Sequence, residues 1–163
     1  MKKLLKQVAG IDVAQGELVV SLGRMHDDLS PEIYAGKSFS NTDKGYESLV
    51  QWIGKMADPD IAVHYVMEAT GVYHEKLAYY LDGKGHSLSI VLPNKISSYL
   101  RSLEVKTITD KTASAGITRF GLERKLERWR QPKPIFRQLR QLTRERDQLV
   151  QTRTAIKNHL HAE

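Results

Sequence analysis

Residues 7–23 read Gln-Val-Ala-Gly-Ile-Asp-Val-Ala-Gln-Gly-Glu-Leu-Val-Val-Ser-Leu-Gly, and this stretch decides the fold. Two short apolar runs rich in β-branched residues, 7–13 and 17–23, flank Ala14-Gln15-Gly16, where a glycine suits a tight turn. The pattern predicts a β-hairpin with one acidic residue, Asp12, on its first strand.

The segment after the hairpin predicts a third strand and a helix. Residues 33–40 alternate loosely between apolar and polar side chains, which is enough to predict a third strand. Asn41 or Thr42 then suits the N-cap of a helix. The apolar positions of that helix follow helical spacing: Tyr46, Leu49, Val50 and Ile53.

Two further strands and two helices follow. Residues 61–68 form a nearly continuous apolar run, typical of a central parallel strand buried on both faces. Thr70 is expected to cap a helix that ends near Gly83, residues 87–92 predict a fifth strand, and a helix from Pro93 reaches about Leu103. The order β-β-β-α-β-α-β-α predicts an α/β domain with a mixed five-stranded sheet and helices on both faces.

The end of the chain differs in kind from the rest. After Gln131-Pro132-Lys133-Pro134, apolar residues recur with heptad spacing, and Arg146 and Arg153 occupy two slots of the same stripe. We therefore predict a domain over residues 1–130 and a long basic helix over 131–163 that continues in a longer parent protein. Its apolar stripe packs either on helices of the same chain or on a partner in a coiled coil. The stripe consists of Ile135, Leu139, Leu142, Leu149, Ile156 and Leu160.

Composition limits the class of protein. The 163 residues contain no cysteine and no apolar run near the ~20 residues that cross a bilayer, and the basic N-terminus lacks the apolar stretch of a signal peptide. These features favour a cytoplasmic protein that does not bind membranes.

Positive charge is concentrated at the end of the chain. Residues 1–121 hold 14 basic and 14 acidic residues, whereas residues 122–163 hold 11 and 5, so the whole excess of +6 lies there. Such a segment is typical of contact with a phosphate backbone, although a solvated Arg-rich helix has the same composition. The candidates for nucleic-acid binding are Arg124, Lys125, Arg128, Arg130, Lys133, Arg137, Arg140 and Arg144.

Three acidic residues are candidates for a metal site. Asp12 lies on the first strand, Glu68 ends the central strand, and Asp110 begins a predicted helix that runs through Phe120. Ligands gather beyond the carboxyl ends of parallel strands, and converging carboxylates suit Mg²⁺. Taken singly, each acid is more often a turn former, a solvated strand end or a helix cap, and it is their combined placement on this order of elements that favours a metal site.

Four blocks of the sequence resemble the DEDD-type insertion-sequence transposases of bacteria. They are Gly10-Ile11-Asp12-Val13, Met67-Glu68-Ala69-Thr70-Gly71-Val72-Tyr73, Leu92-Pro93-Asn94 and residues 106–121. The resemblance implies an RNase H-like (RuvC-like) catalytic domain followed by a coiled coil. It also implies Mg²⁺ as cofactor, with Mn²⁺ as a possible substitute, DNA and a structured guide RNA as partners, and a second domain that contributes a serine.

The resemblance assigns roles to individual residues. Asp12, Glu68 and Asp110 match the first three acids of the family, and a fourth acid belongs three residues after Asp110. Ala113 stands at that position. We therefore expect weakened metal binding and little or no cleavage by this chain.

Two other functions compete with a metal-dependent transposase domain. Ala113 favours a non-catalytic module that binds RNA or DNA and dimerises. Gly10-Ile11-Asp12 followed by a hairpin also opens the sugar-kinase and actin-like ATPase fold, but that class needs a second glycine-rich phosphate hairpin, which the sequence lacks. Mg²⁺-dependent cleavage, metal-independent binding and nucleotide binding distinguish the three.

Overall fold

The computed structural model describes residues 1–103 and 110–161, with the side chains of 110–112 outside the description. The predicted hairpin is present: β1 (Leu4–Val13) and β2 (Glu17–His26) pair antiparallel. The Ala14 N–H donates to the Glu17 carbonyl at 2.9 Å and closes the turn. Both strands are longer than predicted, because their pairing continues as far as Leu4 and His26.

The sheet is mixed and five-stranded, as predicted. β3 (Pro31–Ser40) pairs antiparallel with β2, while β4 (Val63–Glu68) and β5 (Ser87–Val91) extend the sheet by parallel pairing on β1 and then β4. The strand order is β3-β2-β1-β4-β5, which puts β1 and β4 side by side in the middle.

The described residues form five helices. Thr42 caps the N-terminus of α1 (Asp43–Met56), as predicted, and its hydroxyl accepts the Gly45 N–H at 3.2 Å. The other four are α2 (Glu75–Gly83), α3 (Pro93–Ser102), α4 (Asp110–Glu123) and α5 (Pro134–Leu160).

The predicted starts of β4 and α2 are also wrong. β4 begins at Val63 rather than at residue 61, and α2 begins at Glu75 rather than directly after Thr70. Gly71 has a φ of +57°, a left-handed conformation that interrupts a right-handed helix, so a turn precedes α2. The Thr70 hydroxyl lies 3.4 Å from the Glu68 carboxylate instead of capping the helix.

Helices cover both faces of the sheet, as predicted. Ala9, Ile11 and Val13 of β1 face α1 and α2 in one core cluster. Val8 belongs to the second cluster, with α3 and α4. Because side chains alternate along a strand, Gly10 and Asp12 share the α4 face with Val8.

The chain divides into two compact units, Met1–Trp129 and Arg130–Glu163. The second unit contains α5, in which no side chain is buried and the predicted apolar stripe is exposed. Across the described residues, no helix combines the length and apolar character needed to cross a membrane.

Candidate metal and nucleic-acid site

The structure places Asp12 and Glu68 next to each other. The parallel register of β1 and β4 pairs Ile11 with Met67, and the next step of this register sets Asp12 beside Glu68. Both residues are partly buried. Glu68 lies two residues after Val66, which packs in the cluster with α3 and α4. Asp12 lies four residues after Val8 of the same cluster, so strand alternation directs both acidic side chains to the α4 face.

The two carboxylates interact electrostatically. Burial raises the pKa of Glu68 above its usual range, the negative charge of Asp12 raises it further, and the Thr70 hydroxyl lowers it in part. Two like charges held together in this way favour either a proton or a cation between them.

α4 lies across the same face and runs opposite to β1. Oγ1 of Thr118 accepts the Gly10 N–H at 3.1 Å and lies 2.9 Å from the Ser21 carbonyl oxygen, while the Ser114 and Ser21 hydroxyls are 2.7 Å apart. Gly121 lies against Val8 and Val66 further along the helix. These contacts were not predicted from the sequence, because small residues on distant segments give no local signal.

This direction brings the start of α4 toward the carboxylates. Residues 114–118 lie over Gly10 and Gly121 lies over Val8, so the first turn of α4 lies toward Asp12. Asp110 is the first residue of α4, as predicted, and its side chain is outside the description. Ala113, partly buried, precedes the sheet-facing Ser114 by one position.

The described side chains bring together two oxygen donors of the kind that a hard cation binds. Among them, no group of three or more His, Cys, Asp and Glu is arranged to hold a metal ion. Asp12 and Glu68 nevertheless present oxygen donors whose mutual repulsion a divalent cation would relieve, so the donors fit Mg²⁺. Position 113 offers only a methyl group.

Asn41 connects the loops on either side of the two carboxylates. Its Nδ2 donates to the Ala14 carbonyl at 2.8 Å and to the Tyr73 carbonyl at 3.2 Å, and its Oδ1 accepts the Tyr46 hydroxyl at 2.6 Å. Ala14 lies two residues after Asp12, and Tyr73 belongs to the loop after Glu68. The local sequence indicates only a helix cap at Asn41, and these long-range hydrogen bonds give no local signal.

All eight basic residues predicted to bind nucleic acid are exposed. Arg124 and Lys125 follow α4, Arg128 and Arg130 lie in the irregular segment between α4 and α5, and Lys133 precedes α5. The last three, Arg137, Arg140 and Arg144, lie on α5.

The β3-β2-β1-β4-β5 sheet with paired carboxylates on β1 and β4 defines the RNase H-like, RuvC-like class of fold. The structure titled "Thermus thermophilus RuvC structure" matches with a TM-score of 0.50 and 10% sequence identity, covering 69% of this chain and 91% of that chain.

The chain belongs to the DEDD-type transposase family, whose model, DEDD_Tnp_IS110, is described as "Transposase" and matches residues 9–163. Proteins named "Pilin gene-inverting protein" from Moraxella bovis and Moraxella lacunata are each 30% identical over 154 residues. Each alignment covers 91% of this chain and 46% of the relative, so the chain spans less than half the length of these relatives.

Proposed function

We propose that this chain is the N-terminal domain of a DNA transposase that binds nucleic acid and coordinates Mg²⁺ for strand cleavage and exchange during transposition of an insertion sequence. The supporting observation is the placement of Asp12 beside Glu68 on the α4 face of a RuvC-like sheet. Membership of the transposase family gives this carboxylate pair its functional context.

Asp12, Glu68 and Asp110 would hold the metal ion. When bound, Mg²⁺ or Mn²⁺ stabilises negative charge on the phosphate oxygens during phosphodiester cleavage. The protein contributes the adjacent positions of Asp12 and Glu68, set by the β1–β4 register, and the docking of the helix that begins at Asp110. Ala113 leaves the site one oxygen ligand short, so this chain binds metal weakly and cleaves DNA slowly or not at all.

The proposed partners are DNA, a structured guide RNA and a second copy of the chain. The eight exposed basic residues support binding of a phosphate backbone. The exposed heptad stripe of α5 supports pairing with the same helix of a second copy. We propose that the protein works in the bacterial cytoplasm, where the DNA that it would bind is found.

A non-catalytic module that binds RNA or DNA and dimerises is the second candidate. Ala113 favours it, since the position matching the family's fourth acid carries no oxygen ligand. Under this alternative the basic residues and α5 provide the function, and the carboxylate pair is inert.

Cleavage of labelled duplex and four-way-junction DNA, in Mg²⁺, Mn²⁺ or EDTA, separates the two candidates. The proposal predicts that Ala113→Asp cleaves at least tenfold faster than the unmodified chain in Mn²⁺, and that Asp12→Asn in the Ala113→Asp background stops cleavage. Equal binding by all variants, with no metal-dependent cleavage even after Ala113→Asp, would favour the non-catalytic module.

A further inference from the structure

A basic groove lies at the β5 edge of the sheet, within the first unit. Two adjoining cavities of about 430 and 410 Å³ share Lys95, Phe120 and Arg124. The first lies between β5 and the residues after α4, and the second lies between α3 and the end of α4. We call their union the edge groove.

Positive charge dominates the edge groove. Lys95, Arg124 and Lys125 line it with exposed side chains, and among the described lining residues Glu127 is the one acid. The nearby Glu123 carboxylate accepts the Arg119 guanidinium at 2.9 Å and the Tyr99 hydroxyl at 2.8 Å. Its charge is therefore balanced on the helix, and the groove retains a net excess of cations.

The wall that carries Arg124 and Lys125 is fixed to the sheet. The Arg124 carbonyl accepts the Lys6 ammonium at 3.0 Å. Further along, the Glu127 carbonyl accepts the Ser89 hydroxyl at 2.5 Å, and the Trp129 N–H donates to the Leu88 carbonyl at 2.7 Å. The cations are thus presented on an ordered segment, which lowers the entropy lost on binding.

The lining indicates recognition of phosphates and not of bases. Phe120 and Tyr99 are only 8% and 6% exposed, so their rings are too covered to stack on a base. Beside the cations, the exposed Asn94 and Ser98 offer an amide and a hydroxyl as neutral donors. Ammonium, guanidinium, amide and hydroxyl donors that line one groove suit a phosphodiester backbone.

The groove begins close to the carboxylate pair. Glu68, the last residue of β4, pairs with Val91, the last residue of β5 and part of the groove lining. We propose that the edge groove binds the phosphodiester backbone of a nucleic-acid strand beside the carboxylate pair, through Lys95, Arg124 and Lys125. This inference rests on the proposed function and adds an α3 residue, Lys95, to the nucleic-acid surface.

Fluorescence anisotropy with a labelled 20-nucleotide single strand, as DNA and as RNA of the same sequence, tests the inference in EDTA. The triple variant Lys95→Ala, Arg124→Ala, Lys125→Ala is compared with a matched control that also removes three positive charges. The control changes three exposed lysines on α1 and α2, which cover the other face of the sheet: Lys44→Ala, Lys55→Ala and Lys76→Ala.

We expect the triple variant to bind at least tenfold more weakly than the control at about 0.1 M salt. Its plot of log affinity against log salt should also be shallower by about 2, at ~0.7 per lost phosphate contact. The single variant Lys95→Glu should weaken binding in the same direction, and thermal unfolding checks that every variant is folded. Loss for RNA alone, for DNA alone or for both supports the groove and identifies the strand.

Equal affinity of the triple variant and the control overturns the edge groove. If the unmodified chain still binds nucleic acid in that case, the proposed function stands and only the groove is wrong. If the unmodified chain binds neither strand, the proposed function and the groove both fail.

Discussion

The backbone N–H of Gly10 donates to the hydroxyl of Thr118 at 3.1 Å, and this contact joins α4 to the centre of the sheet. A Cβ on Gly10 would lie 2.3 Å from that oxygen and 2.7 Å from the Ser114 carbonyl. The absence of a side chain therefore permits the close approach of the helix that carries Asp110 and Ala113.

Gly10→Ala should destabilise the protein by about 2–3 kcal/mol, because the added methyl group has to separate α4 from β1. Gly16→Ala is the matched control, since a Cβ at Gly16 meets nothing within 4 Å, and it should change stability by less than about 0.5 kcal/mol. Urea unfolding measures both. Equal stability of the two variants would contradict this account of α4 docking.

Thr118→Val should lower the free energy of unfolding by about 1–3 kcal/mol, because it leaves buried backbone groups of β1 and β2 without their hydroxyl partner. Thr152→Val removes a hydroxyl that bonds the Gln148 carbonyl on exposed α5, and it should cost less than about 0.5 kcal/mol. If Thr118→Val lowers the free energy of unfolding by no more than Thr152→Val does, the Thr118 hydroxyl does not stabilise the docking of α4.

Asn41→Ala should weaken Mn²⁺ binding about tenfold in the Ala113→Asp background, since the loops beside Asp12 and Glu68 lose their shared amide. Asn41→Leu has nearly the same shape, carries no charge and loses both N–H donors, so it should behave like Asn41→Ala. Calorimetry gives the affinity and urea unfolding gives the stability. A fall in stability with unchanged metal affinity would limit Asn41 to a structural role.

Glu68→Gln should raise the unfolding temperature by about 2 °C at pH 7. The folded-state pKa of Glu68 is raised, so its favourable contribution is present below the unfolded pKa and is lost as pH rises through the folded pKa. The advantage of Glu68→Gln should therefore grow from about pH 4 to neutrality. Glu47→Gln on exposed α1 is the control, and an identical pH profile for both variants would contradict the coupling with Asp12.

Replacing Leu142 and Leu149 by Glu should convert a dimer to a monomer, because both side chains belong to the exposed heptad stripe of α5. Gln141→Glu with Gln148→Glu adds the same charge at outward positions of the same heptads and should leave the dimer intact. Sedimentation equilibrium gives the masses. An unchanged mass for the leucine variant would place self-association, if any, elsewhere.

Local patterns in the sequence predicted the sheet and the carboxylate pair. The hairpin at Gly16 and the apolar run ending at Glu68 are set by neighbouring residues, and the β1–β4 pairing follows from their order. The start of α2 was predicted too early. Gly71 adopts a left-handed conformation, so a turn separates Thr70 from the helix. The Asn41 bonds and the edge groove were missed because they join segments far apart in the chain.

Calorimetric titration of Mn²⁺ and Mg²⁺ into the unmodified chain, Ala113→Asp and Asp12→Ala tests whether the paired carboxylates form a metal site. We expect weak binding by the unmodified chain, appreciably tighter binding by Ala113→Asp and none by Asp12→Ala. If none of the three proteins binds either metal, the paired carboxylates are not a metal site, and nucleic-acid binding and assembly become the better explanation of the chain.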